Sequence, residues 1–116
     1  PTLHHMVSDI RGRLRPNADL PELIGALFPG GSITGAPKVA AMQCIEELES
    51  LRRGYYCGSL LTVGPTGAAT ANILIRTLVA ADGMLYYQSG GGIVADSDPA
   101  LEWRETEVKA HAITSL

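Results

Sequence analysis

The sequence predicts an α+β fold, a layer of antiparallel strands with helices packed against it. Three observations carry that expectation. Residues 37–52 place Ala41, Cys44, Ile45 and Leu48 at helical spacing on one face. Strand-like runs over 55–63, 69–80 and 84–88 are separated by the turn formers Gly64-Pro65-Thr66-Gly67 and Asp82-Gly83. Asp98-Pro99 then opens a last helix, with Asp98 as N-cap and Pro99 at the first helical position.

Taken in order, residues 3–14 are mixed but strand-like, with Met6 and Val7 near the middle. Residues 19–28 read as a short helix, capped by Asn17 or Asp19 and ended by Pro29-Gly30-Gly31. The helix over 37–52 begins on Pro37 and has Gly54 just past its end. Three strands follow, the last broken by Ser89-Gly90-Gly91-Gly92, and the final helix runs to about Ser115. The predicted order is β-α-α-β-β-β-α, with no internal repeat.

The chain has 116 residues, enough for one modest core. With 46% apolar and 18% charged residues it belongs with globular rather than disordered chains. A net charge of −3 argues against a nucleic-acid surface and against an anionic membrane. Apolar runs are short, Arg76 and Thr77 interrupting the longest, far below the ~20 residues of a membrane span. Cys44 and Cys57 show no metal-ligand spacing and read as free thiols, which places the chain in the cytoplasm. The opening Pro1-Thr2-Leu3-His4-His5 has neither an initiator Met nor signal-peptide character, so residues 1–116 are expected to form the C-terminal portion of a longer domain.

Chemistry gathers in four places. In the last helix Leu101, Glu105, Val108 and Ala112 share one face, which sets a carboxylate in an apolar stripe. Glu102, Glu105 and Lys109 form the adjoining polar ridge. Two carboxylates one turn apart suit Mg²⁺, which takes a few carboxylates and completes its shell with water and substrate oxygens. A Glu105–Lys109 ion pair on a solvated face is the alternative. Arg76 stands within an apolar strand, where a guanidinium calls for a carboxylate or phosphate, or an internal ion pair. Gly90-Gly91-Gly92 permits close approach of a ligand to backbone N–H groups. Ser32-Ile33-Thr34-Gly35-Ala36-Pro37-Lys38 leads into a helix N-terminus that favours an anion. It is not a nucleotide-binding P-loop, because Ala36 stands where the lysine must be. The inventory suits a small polyanionic ligand held with Mg²⁺.

The stretches Gly31-Ser32-Ile33-Thr34-Gly35-Ala36-Pro37-Lys38, Ile75-Arg76-Thr77 and Gly90-Gly91-Gly92-Ile93-Val94-Ala95-Asp96-Ser97-Asp98-Pro99, followed by Glu102, Glu105-Thr106 and Lys109, resemble the chorismate-utilising enzymes. The resemblance covers essentially the whole chain in order. It implies the C-terminal half of the chorismate-binding fold, the fold of anthranilate synthase component I. Ser-Ile-Thr-Gly-Ala-Pro-Lys looks most like the aminodeoxychorismate synthase branch, with the anthranilate synthase branch as the alternative.

The resemblance further implies roles. Glu105 would ligand Mg²⁺, with Glu102 beside it. Tyr56 and Arg76 would hold the enolpyruvyl carboxylate of chorismate, and the N–H groups of Gly90, Gly91 and Gly92 would cradle a carboxylate. Lys109 would add positive charge there, and His5 would be the acid–base residue, these two being the catalytic candidates. Ammonia, supplied by a glutamine amidotransferase partner, would replace a ring hydroxyl. Two further segments of the family site, one carrying a lysine nucleophile and one a metal-binding glutamate, find no match here, and Leu60-Leu61-Thr62 departs from the family's Gly-Tyr. The chain alone is therefore expected to be inactive, either as a monomer or with a second copy covering its sheet edge. A non-catalytic domain that merely inherited the sequence is disfavoured by the presence of Glu105, Arg76 and the triple glycine.

Overall fold

The computed structural model describes residues 7–115. It is an α+β chain in which three helices, two antiparallel hairpins and a long helix follow one another. Residues 7–15, expected as part of a strand, carry no regular structure and are exposed throughout. A strand needs a partner ladder, and the polar groups here close locally instead, Arg11 donating to Asp9 at 2.8 and 3.0 Å.

Helix α1 (Leu20–Leu27) starts where Asp19 accepts from the Glu22 N–H and Pro21 occupies the first turn. Its C-terminal end is closed from elsewhere: Lys38 Nζ donates to the Ala26 carbonyl at 2.8 Å. The single-turn helix α2 (Gly31–Thr34) lies in the stretch read as leading into the next helix. The Thr34 hydroxyl, donating to the Gly30 carbonyl, helps to close α2. Helix α3 (Lys38–Leu48) starts one residue after the expected position, with Pro37 as the cap. It ends at Leu48, short of 52, because Glu49 is extended and engages Arg53.

Strands β1 (Ser59–Val63) and β2 (Ala69–Ile73) pair with Ser59 opposite Ile73. The Gly64 N–H donates to the Ala68 carbonyl across the turn between them. Strands β3 (Leu78–Ala81) and β4 (Met84–Tyr87) pair through Asp82 and Gly83, both at positive φ, the two-residue hairpin turn that Asp-Gly favours. The run over 69–80 is therefore two strands, and the expected single sheet layer is two separate hairpins. Helix α4 (Pro99–Thr114) is capped by Asp98, which accepts from the Ala100 and Leu101 N–H groups.

Among the described residues none is buried. An open apolar groove of about 530 Å³ runs between α1 and the β1–β2 hairpin, lined by Leu23, Ile24, Leu27, Phe28, Leu61 and Ile73. The Cα radius of gyration is 16.7 Å, against roughly 13 Å for a compact chain of this length.

Candidate binding site

The turn between α3 and β1 fixes Tyr56. Gly54 and Cys57 take positive φ, and the Tyr56 N–H donates to the Arg53 carbonyl. Gly58 is required there, since a Cβ would stand 2.8 Å from the Tyr55 carbonyl oxygen. Beyond it the Cys57 N–H donates to the Leu74 carbonyl, and the Leu74 N–H to the Gly58 carbonyl. These bonds extend the β1–β2 ladder and tie the Tyr56 turn to the connection that carries Arg76.

The Tyr56 hydroxyl rests against the glycine loop: a Cβ at Gly90 would lie 2.8 Å from it. On the far side of that loop Lys109 Nζ donates to the Gly90 carbonyl at 3.3 Å. Gly91 has the Glu102 carboxylate at its back, 3.0 Å from where a Cβ would be, while Gly92 has open space. The glycine segment thus threads between Tyr56 and α4, and two of its three members stand where a side chain would meet functional groups.

Helix α4 presents to that segment a face other than the expected one. Glu102, Thr106, Lys109 and Ile113, at spacings of 4, 3 and 4, are half-buried. Ser89 Oγ donates to the Thr106 carbonyl at 3.0 Å and Tyr87 Oη to the Lys109 carbonyl at 3.4 Å. The stripe expected to pack is instead open to solvent, Leu101 being 67% and Val108 43% exposed. Glu105 on that stripe forms an ion pair with Lys109 at 2.5 Å. Glu102 accepts from Ser97 Oγ at 2.6 Å, and Ser97 in turn accepts from the Val94 N–H.

One sequence expectation about a candidate residue is corrected. Arg76 lies in no strand; it occupies the connection between the hairpins at φ 52°, a left-handed conformation that costs a non-glycine residue about 1–2 kcal/mol. Its neighbours Leu74 and Thr77 line a cavity of about 460 Å³ that Tyr56 also lines. Lys38, at the expected anion-binding helix start, is committed to the Ala26 carbonyl. His5 falls outside the described residues.

A clasp beside Tyr56 escaped the sequence reading. Arg53 Nη2 and Nε donate to the two Glu49 oxygens at 2.5 and 2.8 Å, a two-pronged ion pair. The opposite charges four residues apart were its only sequence signal. The Arg53 guanidinium stands 5.8 Å from the Tyr56 ring centroid, and its Nη1 is buried with no hydrogen-bond partner. The Glu49 hydrogen bond holds the Arg53 pKa above its usual value, and the Arg53 hydrogen bond holds Glu49 below the usual carboxylate range. Burial, with Cys57 alongside, pushes the Tyr56 phenol up to about 12. Tyr56 is therefore a neutral hydroxyl donor near neutral pH.

Among the described residues no three His, Cys, Asp or Glu side chains gather as a metal centre, and no helix is long and apolar enough to cross a membrane. The Tyr56 hydroxyl, Lys109 and Glu102 thus meet at the Gly90-Gly91 segment, with Glu105 one turn along α4.

The family model for chorismate binding enzymes matches residues 1–115, and the chain belongs to that family. It is 50% identical to aminodeoxychorismate synthase component 1 of Klebsiella aerogenes over 113 residues, 97% of this chain and 25% of that protein. It is 47% identical over 109 residues, 94% of this chain and 22% of the relative, to anthranilate synthase component 1 of Neisseria meningitidis serogroup B. Anthranilate synthase component 1 1 of Haloarcula marismortui is 49% identical over 111 residues, 96% of this chain and 23% of its own length. The chain thus spans about a quarter of the curated relatives it matches.

Proposed function

We propose that this chain binds chorismate and supplies about half of a site where ammonia replaces a ring hydroxyl, giving 4-amino-4-deoxychorismate. The observation that carries the reading is the convergence of Tyr56, Gly90 and Lys109, with Glu102 backing Gly91. The neutral Tyr56 hydroxyl donates to the enolpyruvyl carboxylate, and Arg76 takes the same group from the adjoining connection. N–H groups of Gly90, Gly91 and Gly92 receive a carboxylate, with the Lys109 charge behind the loop. His5 serves as acid–base residue on the ring.

Glu105 and Glu102 would hold Mg²⁺. Their one-turn spacing fits an ion that asks one or two carboxylates of the protein and fills its shell with substrate and water. When bound, the ion supplies positive charge to the ring carboxylate and the departing oxygen. Lys109, which pairs with Glu105 and already donates to the Gly90 carbonyl, would keep its positive charge at the glycine loop. A glutamine amidotransferase provides the ammonia, and further polypeptide covering the exposed apolar faces completes the site. The free thiols Cys44 and Cys57 fit a cytoplasmic setting.

The Ser32-Ile33-Thr34 wording supports the aminodeoxychorismate product. Anthranilate remains the second reading, supported by relatives of that name at 47% and 49% identity. To decide, this chain is set in place of the matching quarter of the Klebsiella aerogenes relative and given chorismate, Mg²⁺ and an ammonium salt. Consumption of chorismate without anthranilate fluorescence, yielding an aminated non-aromatic product, is the expected outcome. Fluorescent product shifts the reading to anthranilate. No consumption by a folded chimera, alongside an active parent enzyme, sinks both.

A further inference from the structure

Resting on the chorismate reading above, we propose that Arg53, clamped by Glu49, is a positioning residue that holds the Tyr56 hydroxyl against Gly90 for a ligand carboxylate. Nothing in the reaction calls on Arg53 itself. Yet it is the more enclosed member of its ion pair, its side chain 22% exposed against 40% for Glu49. Two of its nitrogens are spent on Glu49 and the third, Nη1, has no hydrogen-bond partner. The electron-rich surface available to the guanidinium is the Tyr56 ring, 5.8 Å from its centre.

The geometry then runs in one line. Glu49 fixes the guanidinium plane through two parallel bonds. The guanidinium carbon stands over the ring, and the ring carries its hydroxyl to the glycine loop, where a Cβ on Gly90 would stand 2.8 Å from it. The turn through Gly54 and Cys57 sets where the Tyr56 backbone lies, but leaves χ1 to be chosen by packing. Beside the Gly90 contact of its hydroxyl, the clasp is a contact placed to choose that rotamer.

The test uses the same chimera and the variants Arg53→Met, Arg53→Lys, Glu49→Gln and Tyr56→Phe. Arg53→Met keeps the aliphatic stem and removes the fork and charge. It is expected to raise KM for chorismate roughly tenfold, the scale of one charge-assisted hydrogen bond, with kcat within about twofold. Glu49→Gln should move KM the same way by less, and Arg53→Lys should recover part of the loss. Tyr56→Phe should match Arg53→Met, and the double variant should be no worse than either single. Full additivity of the two would overturn the proposal, as would a fall in kcat at unchanged KM.

A second reading needs no turnover, so it stands even if the chimera fails to consume chorismate and the functional reading fails. Carbon-13 tyrosine labelling, assigned through Tyr56→Phe, follows the Tyr56 phenol with pH. Arg53 is a cation that favours the phenolate, so losing its charge alone would leave the titration at or above about 12. Losing its hold on the ring would expose the phenol and bring the titration down toward about 10. The fall is expected in Arg53→Met. A titration that stays or climbs, or a parent chimera already titrating near 10, overturns the positioning role.

Discussion

At the scale of single residues, the informative groups are those whose environment departs from their type. Glu49 is the clearest on the acid side. Its folded-state pKa is lowered by Arg53, so the ion pair contributes stability above the unfolded carboxylate value. That contribution is lost as pH falls through the lowered folded value. The clasp should thus be intact near pH 6 and open in strong acid, below the ordinary carboxylate range. The Arg53 Nε–H resonance reports this directly, being protected from water exchange while bonded to Glu49. Protection that persists unchanged in Glu49→Gln would show that another group holds the guanidinium. Tyr56 was legible in the sequence only through family likeness. A tyrosine beside a cysteine carries no spacing signal, and its raised pKa comes from burial that only the fold creates.

Among the elements, those written in local chemistry were legible. Asp98-Pro99 announced the start of α4, and Asp82-Gly83 the second hairpin turn. For α1 the cap was open between Asn17 and Asp19, and it is Asp19. Where long-range partners decide, local reading failed. Residues 7–15 have strand-like composition but no ladder to join, and residues 69–80 split because Arg76 turns left-handed between β2 and β3. The α4 face was misassigned for the same reason. Apolar periodicity pointed to Leu101, Glu105 and Val108, whereas the side packed on the glycine loop is Glu102, Thr106 and Lys109. The cap, by contrast, is a local device with a local cost. Asp98→Ala removes both acceptor bonds to Ala100 and Leu101 and should cost about 1 kcal/mol of helix stability. Amide exchange in the first turn of α4 should quicken by roughly fivefold on that scale, and unchanged exchange there would mean the helix start is held from elsewhere.

For the whole molecule, the hydrophobic term decides. Folding must offset about 1–2 kcal/mol of backbone entropy per residue, chiefly by removing apolar surface from water at about 25 cal/mol per Å². Here no described residue is buried, while Leu48, Leu51, Leu85, Ile93 and Trp103 are all at least 66% exposed. The radius of gyration of 16.7 Å says the same in different units. Such a chain, alone in solution, is expected to keep local helices and hairpin turns, bind a hydrophobic dye, and unfold in urea over a broad range with a small slope. Supplying the remaining three-quarters of the Klebsiella aerogenes relative as a separate polypeptide should abolish dye binding and sharpen the transition, because both groove and α4 stripe then gain partners. Sedimentation distinguishes the other route to the same end: a dimer of this chain would bury those faces without any added polypeptide. A monomer that is dye-silent and unfolds in one steep transition would show that the chain builds a core of its own. It would also sink the view that the apolar faces of α4 and the α1 groove are interfaces.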